Sequence, residues 1–278
     1  ARLEYRGYDS AGIGLSTPGG IEIRKKSGKL ANLRADLQDN PLSQAIAGIG
    51  HTRWATHGGP TDINAHPHVS SDGQLALVHN GIIENADNLR RVLEKQGFSF
   101  VSETDTEVIA NLLAASYLAD EDAGTSLGEG AADVPAPVLD NAQVCAEVAA
   151  GVHRAAARLS RALLATMSQL KGTFTILAIH RNAPGMVVAA RRSSPLVIGV
   201  GKDCNYLGSD VLAFTDYTKE CLEIGQDELV MVTANQVQVA DNRGRALTPK
   251  QFTVDFSVDR ASKGEWGTFM EKEIHEQP

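Results

Sequence analysis

Ala47-Gly48-Ile49-Gly50-His51-Thr52-Arg53-Trp54-Ala55-Thr56-His57-Gly58 passes from a strand-like run, Ala47 to His51, straight into a dense polar and aromatic segment. The HTRWATHG part places arginine, tryptophan, two threonines and two histidines within eight positions. Loop residues held at the end of a strand are the usual place for ligand contacts, and an arginine there can clamp a carboxylate through two parallel hydrogen bonds. The plainer alternative is a surface arginine beside a packing tryptophan.

Upstream, Ala11 to Leu15 and Ile21 to Arg24 also read as strands, and downstream Leu75 to Val78 does the same. Asn85 offers an N-cap to a helix carrying Leu89, Val92 and Leu93 on one face, with Gly97 as its stop. Thr104-Asp105-Thr106-Glu107 fits a capping box, so a second helix should begin near Asp105 and run to about Leu118. The stretch 119–142 is acidic, rich in Gly and Ala, and carries Pro135 and Pro137, which is the composition of a mobile surface insertion. From Ala142 to Leu170 the spacing is helical, as one long helix or two joined near Gly151. Strand-like runs resume at Thr173 to Ile179, Met186 to Ala190, Leu196 to Val200, Glu228 to Thr233 and Gln236 to Ala240. Strands, then helices, then strands again favour an α+β layered sandwich over a doubly wound parallel sheet.

Composition narrows the function classes. The 278 residues are 42% hydrophobic, as in an ordinary globular protein, and carry a formal net charge of -8. Such a balance argues against a nucleic-acid surface, which needs clustered Lys and Arg in excess. No apolar run approaches the roughly 20 residues that cross a bilayer, and no basic-then-apolar leader opens the sequence, so neither a membrane nor a secretory route is expected. A cytoplasmic address is the expectation. Cys145, Cys204 and Cys221 lack CxxC spacing and indicate neither disulfides nor a zinc knuckle. No GxxxxGK[ST] or GxGxxG segment supports a nucleotide cradle.

Two further segments bear chemistry. Val78-His79-Asn80-Gly81-Ile82-Ile83-Glu84-Asn85 contains an Asn-Gly pair, which as a dipeptide favours a hairpin turn. Its functional version directs the Asn80 side-chain amide and the Gly81 backbone N–H at a developing oxyanion, and both versions presuppose the same turn. In Glu103-Thr104-Asp105-Thr106-Glu107, Asp105 can pair with a substrate ammonium, although acidic residues in a first helical turn are favoured by the helix dipole alone. Five of the eight histidines, His51, His57, His66, His68 and His79, cluster in this region. His66-Pro67-His68 therefore raises a metal site as a competing reading, weakened by the absence of a nearby cysteine.

Tyr5-Arg6-Gly7-Tyr8-Asp9-Ser10-Ala11-Gly12, HTRWATHG, Asn64-Ala65-His66-Pro67-His68, the HNGIIEN segment and Ser102 to Glu107 together resemble the glutaminase domain of the glucosamine-6-phosphate synthases. Ser194 to Gly199 and the closing Phe269 to Pro278 are similar to the same family, the latter to its link toward a sugar-phosphate isomerase half. The resemblance covers nearly the whole chain apart from Asp120 to Ala165. It implies a single class II glutamine amidotransferase domain over 1–278, with a linker at 264–278. The implied fold is the four-layer αββα sandwich of the N-terminal-nucleophile hydrolases, its first strand lying ahead of Ala1.

Carried over residue by residue, the resemblance implies that Arg53 and Thr56 hold the glutamine α-carboxylate with His57 in the same loop, and that Asp105 holds the α-ammonium. Asn80 and Gly81 would form the oxyanion hole, Arg6 would stand beside the nucleophile, and Trp54 would gate ammonia toward the synthase half. No cofactor or metal is implied. The partners implied are L-glutamine, the synthase half of the same enzyme and a second copy in a homodimer. The family opens on Cys-Gly-Ile-Val-Gly, whose thiol attacks the carboxamide with its own α-amine as base. Position 1 here is alanine and no CGIVG occurs, so the nucleophile is expected upstream of Ala1. Three rivals remain: another amidotransferase of this fold, a glutamine-binding or interaction module without a nucleophile, and a His-rich metal module.

Overall fold

The computed structural model describes residues 3–4, 7–123 and 146–255. In chain order, β1 (Ser10–Thr17), β2 (Gly20–Ser27), α1 (Leu30–Asp39) and β3 (Ala47–Arg53) come first. They are followed by β4 (His68–Val69), β5 (Leu75–Ile83), α2 (Ala86–Lys95), α3 (Asp105–Ala123) and α4 (Ala146–Gln169). The last third is β6 (Gly172–His180), β7 (Val187–Arg192), β8 (Val197–Val200), β9 (Asn205–Gly208), β10 (Glu220–Glu223), β11 (Leu229–Val232), β12 (Val237–Ala240), β13 (Ala246–Leu247) and β14 (Lys250–Thr253).

Side-chain alternation along β5 and β6 sets the layering. Leu75 and Leu77 share one face with Phe174, Ile176 and Ala178, and this face packs on α3 and α4 through Ile109, Leu113, Leu159 and Leu163. On the opposite face Ala76, Val78 and Ile179 meet Ile49 of β3 and the inward side chains Ile21 and Ile23 of β2. The central sheet is seven-stranded and antiparallel, ordered β13-β12-β11-β7-β6-β5-β4. Two smaller sheets, β2-β1-β3 and β14-β10-β8-β9, lie across that second face, with Ile198 of β8 packed on Ala189 and Val230. Outside the three-stranded sheet, Asp36 of α1 meets the outward-pointing Arg24 and Lys26 of β2. Helices, sheet, sheets, helix is the αββα order expected of the α+β sandwich.

A gap sits in the second sheet layer. Among the described residues β3 pairs only with β1, and β9 only with β8, so each has one edge without a described partner. Between these edges is a cavity of about 790 Å³, lined by Gly50 and Thr52 on one side, Leu207 and Gly208 on the other, and floored by Val78 and Leu177.

Several expectations need correction. Asn80-Gly81 is not a turn: both residues lie inside β5, paired with Thr175 and Phe174 of β6. Asn85 stands at the N-cap of α2 without a side-chain capping bond; it accepts from the Lys171 N–H at 2.9 Å and donates to the Gln169 carbonyl at 2.9 Å, tying α2 to the α4–β6 turn. Leu93 is buried as expected but Val92 is 53% exposed. Gly97, at φ 93°, ends α2 as anticipated, with the Phe98 N–H returning to the Leu93 carbonyl at 3.0 Å. α3 runs past Leu118 to Ala123, α4 passes Gly151 unbroken, and α1 was not foreseen. The remainder of the 119–142 segment, beyond 123, and the 264–278 linker lie outside the described residues.

Candidate active site

Alternation in β3 puts Ile49, His51 and Arg53 on the inward face, opposite Gly14, Gly12 and Ser10 of β1. In β5 the same alternation turns Asn80 toward β3, so His51 and Asn80 meet across the layers: His51 Nε2 lies 2.7 Å from Asn80 Oδ1. Gly81 follows at φ 135°, and a Cβ built there would stand 2.1 Å from the Thr173 carbonyl oxygen. Only glycine fits that backbone.

The start of α3 closes the other wall. Thr104 Oγ1 accepts from the Glu107 N–H at 3.3 Å, the first half of the expected capping box. The reciprocal half is replaced, because the Glu107 carboxylate accepts from the Val101 and Ser102 N–H groups instead, at 2.9 and 2.7 Å. Asp105 is buried, and its Oδ2 accepts the Ile83 N–H at 2.9 Å, which fastens α3 to the end of β5.

The loop after β3 is braced by its own arginine. Arg53 is 4% exposed; its guanidinium donates to the His57 and Gly58 carbonyls, and to that of Gly59 at 3.2 Å, and lies 3.7 Å from Asp9 Oδ1. Asn64 ties this loop to α3, donating to the Gly59 carbonyl at 3.1 Å and to Glu103 Oε2 at 2.9 Å while accepting from the Glu103 N–H at 3.0 Å. Thr56 and His57 are exposed, with 3.4 Å between Thr56 Oγ1 and His57 Nδ1. Trp54 is 61% exposed and packs edge-on against Tyr8, ring centroids 5.2 Å apart.

These elements enclose a pocket of about 200 Å³ whose wall includes Arg53, Trp54, Thr56, His57, Asn80, Gly81 and Asp105. All the site residues expected from sequence thus converge here except Arg6, which lies outside the described residues. His51, His66, His79 and Thr106 line the same pocket and were not foreseen in it. Strand parity was the available signal, since His51 shares the face of Arg53 and His79 points to α3 as Leu75 and Leu77 do.

Behind the wall the histidines form a neutral cluster. His51 and His66 stack at 4.2 Å between centroids, and His66 and His68 meet edge-on at 5.0 Å. His66 Nε2 lies 2.9 Å from Thr106 Oγ1, His79 Nδ1 3.2 Å from the same oxygen, and His68 Nε2 3.1 Å from Thr104 Oγ1. Burial pushes the His51 pKa down to about 4 and that of His68 to about 3, and holds His66 well below its ordinary value. His79 is lowered by burial against the opposing pull of Asp105. Among the described residues no group of three or more His, Cys, Asp or Glu is arranged to hold a metal ion. The described cysteines lie elsewhere: Cys204 is exposed beside Tyr206, and Cys221 is buried in β10 with its thiol pushed up by burial.

The model of a family described as glutamine amidotransferase domain matches residues 11–118, a span that contains every described residue expected in the site. Over 277 residues the chain is 48% identical to the glutamine--fructose-6-phosphate aminotransferase (isomerizing) of Corynebacterium glutamicum, covering 100% of this chain and 39% of that protein. Residues 11–118 thus match the glutamine amidotransferase domain family. Proteins with the same name in Streptomyces coelicolor and Mycobacterium tuberculosis share 44% and 41% identity with this chain, which covers 39% and 40% of them. The chain therefore spans about two fifths of the length of these relatives. Among solved structures, the glutamine phosphoribosylpyrophosphate amidotransferase from B. subtilis complexed with ADP and GMP superposes with a TM-score of 0.59 at 23% identity, covering 87% of this chain and 44% of that one. A second, described as the allosteric regulatory enzyme of purine biosynthesis, gives 0.60 at 24% identity, with the same coverage. At that identity the likeness is one of fold, and this chain shares their sandwich. No described helix is long and apolar enough to cross a membrane.

Proposed function

We propose that this amidotransferase domain hydrolyses L-glutamine to glutamate and ammonia, and that the ammonia is passed to a synthase half that converts fructose 6-phosphate to glucosamine 6-phosphate. The pocket carries the reading: a buried cation, a buried anion and an amide donor line one cavity of about 200 Å³. A zwitterionic amino acid needs fixed charges of both signs, and amide cleavage needs donors at the tetrahedral oxygen. In this reading Asp105 receives the α-ammonium, and Arg53, with Thr56 and His57 beside it, receives the α-carboxylate in place of one or more of the loop carbonyls it now braces. Asn80 Nδ2 and the Gly81 N–H stabilise the oxyanion. Arg6 stands beside the nucleophile and Trp54, at the mouth, gates the ammonia.

The family resemblance implies an N-terminal cysteine as the attacker, and we assign that thiol to a strand upstream of Ala1 lying between β3 and β9; neither described cysteine lines the pocket. The edges of β3 and β9 that lack a described partner, with Val78 and Leu177 in the cavity between them, suit such a strand. A single amidotransferase domain over 1–278, a segment at 264–278 leading to the synthase half, a homodimer and a cytoplasmic address belong to the same proposal and rest on the sequence reading.

The test is product identity. The full-length polypeptide, given glutamine and fructose 6-phosphate, should yield glucosamine 6-phosphate and glutamate in equal amounts. Glutamate release without an amino sugar would transfer the domain to an amidotransferase with another acceptor. Glutamine binding without any release would favour the nucleophile-less binding module.

A further inference from the structure

We propose that His51 is a positioning residue for the oxyanion hole: its ring Nε2–H holds the Asn80 amide in the one orientation that turns the NH2 group toward the reacting carbonyl. The inference rests on the proposed glutamine hydrolysis, since it assigns a partner to the Asn80 donor.

An asparagine amide is nearly symmetric in shape but opposite in function at its two ends. Turned one way it offers donors to an oxyanion, and turned the other it offers an acceptor that repels one. Something must fix the choice. Among the described residues the Asn80 side chain makes one hydrogen bond, the 2.7 Å contact of Oδ1 with His51 Nε2, and Asn80 Nδ2 has no partner there. Burial keeps the His51 ring neutral, with its pKa down at about 4, so it carries a single N–H. His51 Nδ1 has no hydrogen-bond partner among the described residues. With the proton on Nε2 the ring donates to Oδ1, and the flipped amide would forfeit that bond at this half-buried position.

The ring itself is held from behind. His66 stacks on it at 4.2 Å, and His66 Nε2 is 2.9 Å from Thr106 Oγ1, whose hydroxyl also lies 3.4 Å from Asp105 Oδ1. A continuous set of contacts therefore links the carboxylate assigned to the substrate ammonium with the amide assigned to the oxyanion.

The experiment is a double-mutant cycle on glutamate release by the full-length polypeptide. His51→Phe preserves the stacked ring and removes both nitrogens; His51→Gln places an amide N–H near the position of Nε2, whereas His51→Asn reaches only as far as Nδ1. His51→Phe is expected to lower kcat by about 10- to 100-fold, the usual cost of removing an orienting partner behind a reacting group, with KM little changed. His51→Gln should recover most of that loss and His51→Asn should not. His51→Phe combined with Asn80→Ala should be no worse than Asn80→Ala alone, because the histidine acts only through the asparagine. Multiplicative losses, or a loss confined to KM, would overturn the inference while leaving glutamine hydrolysis in place. An unchanged kcat in Asn80→Ala would instead overturn the oxyanion reading beneath it. If His51→Phe does not fold, the Gln and Asn variants still decide: equal kcat in the two contradicts the positioning role.

Discussion

Gly81→Ala should both loosen the β5–β6 ladder and damage the oxyanion site, and the structure says by how much. Two penalties act together. At φ 135° the new side chain occupies a backbone region that costs about 1 to 3 kcal/mol for a non-glycine residue. Its Cβ would also stand 2.1 Å from the Thr173 carbonyl oxygen, 2.7 Å from the Thr173 carbonyl carbon and 2.9 Å from Phe174 Cα. These are backbone atoms of a central strand with no side-chain freedom to yield, so relief requires strand displacement, an overpacking cost of a further 1 to 3 kcal/mol or so. Against a domain stability of roughly 5 to 15 kcal/mol that is a large fraction. Hydrogen exchange followed by mass spectrometry on the full-length polypeptide reads it locally: peptides spanning β5 and β6 should exchange about 30-fold faster or more, since 2 kcal/mol corresponds to a factor of about 30. Gly73→Ala is the matched control, with φ 71° and nothing within 4 Å of its Cβ, so it suffers the backbone penalty alone. Wild-type protection in Gly81→Ala, or protection no worse than in Gly73→Ala, would refute the claim that β6 leaves no room at this position.

Asp105→Asn should raise KM for glutamine by about 10- to 100-fold, the loss of one charge-assisted contact of 1.5 to 3 kcal/mol, with a smaller effect on kcat; an unchanged KM would remove the ammonium role. Acid should destabilise the domain well above the carboxylate range. His51, His68 and His180 have folded pKa values near 4, 3 and 4, all lowered chiefly by burial. Their neutral forms are shared by folded and unfolded chains above pH 6.5, and below it the unfolded chain takes up protons that the folded one refuses. Stability is thus present above pH 6.5 and lost toward pH 4, by about 1.4 kcal/mol per pH unit for each fully titrating histidine. Scanning calorimetry of this domain's transition from pH 7 to pH 5 should show a falling Tm, and a flat profile would contradict the burial of these three histidines. Thr104→Ala should cost about 0.5 to 2 kcal/mol by removing the cap on the Glu107 N–H, visible as faster exchange in the first turn of α3.

Sequence carried the local parts of this structure well. β1, β3, β5, β6 and β7 follow from apolar, β-branched runs, and the α3 start follows from Thr104 and Glu107. What failed depended on distant partners. Asn80-Gly81 reads as a turn because the dipeptide preference is local, whereas nine residue pairs of register with β6 hold the two residues in a strand. α1 has Leu33 as its single buried residue and β9 and β10 are four residues each, too little apolar pattern to register. The site residues were legible as motifs, but their mutual placement was not. That Arg53 braces the carbonyls of 57–59, that Asn64 joins this loop to Glu103, and that His51 meets Asn80 are contacts across elements which no spacing encodes.

Glutamate release from glutamine by the full-length polypeptide, compared with its Asn80→Ala variant, tests the central claim most directly. The account predicts steady release by the wild type and a kcat lower by roughly 10² to 10³ in the variant, the cost of one oxyanion donor. No release from a folded wild type that carries an upstream cysteine, or equal release by the two proteins, would contradict it.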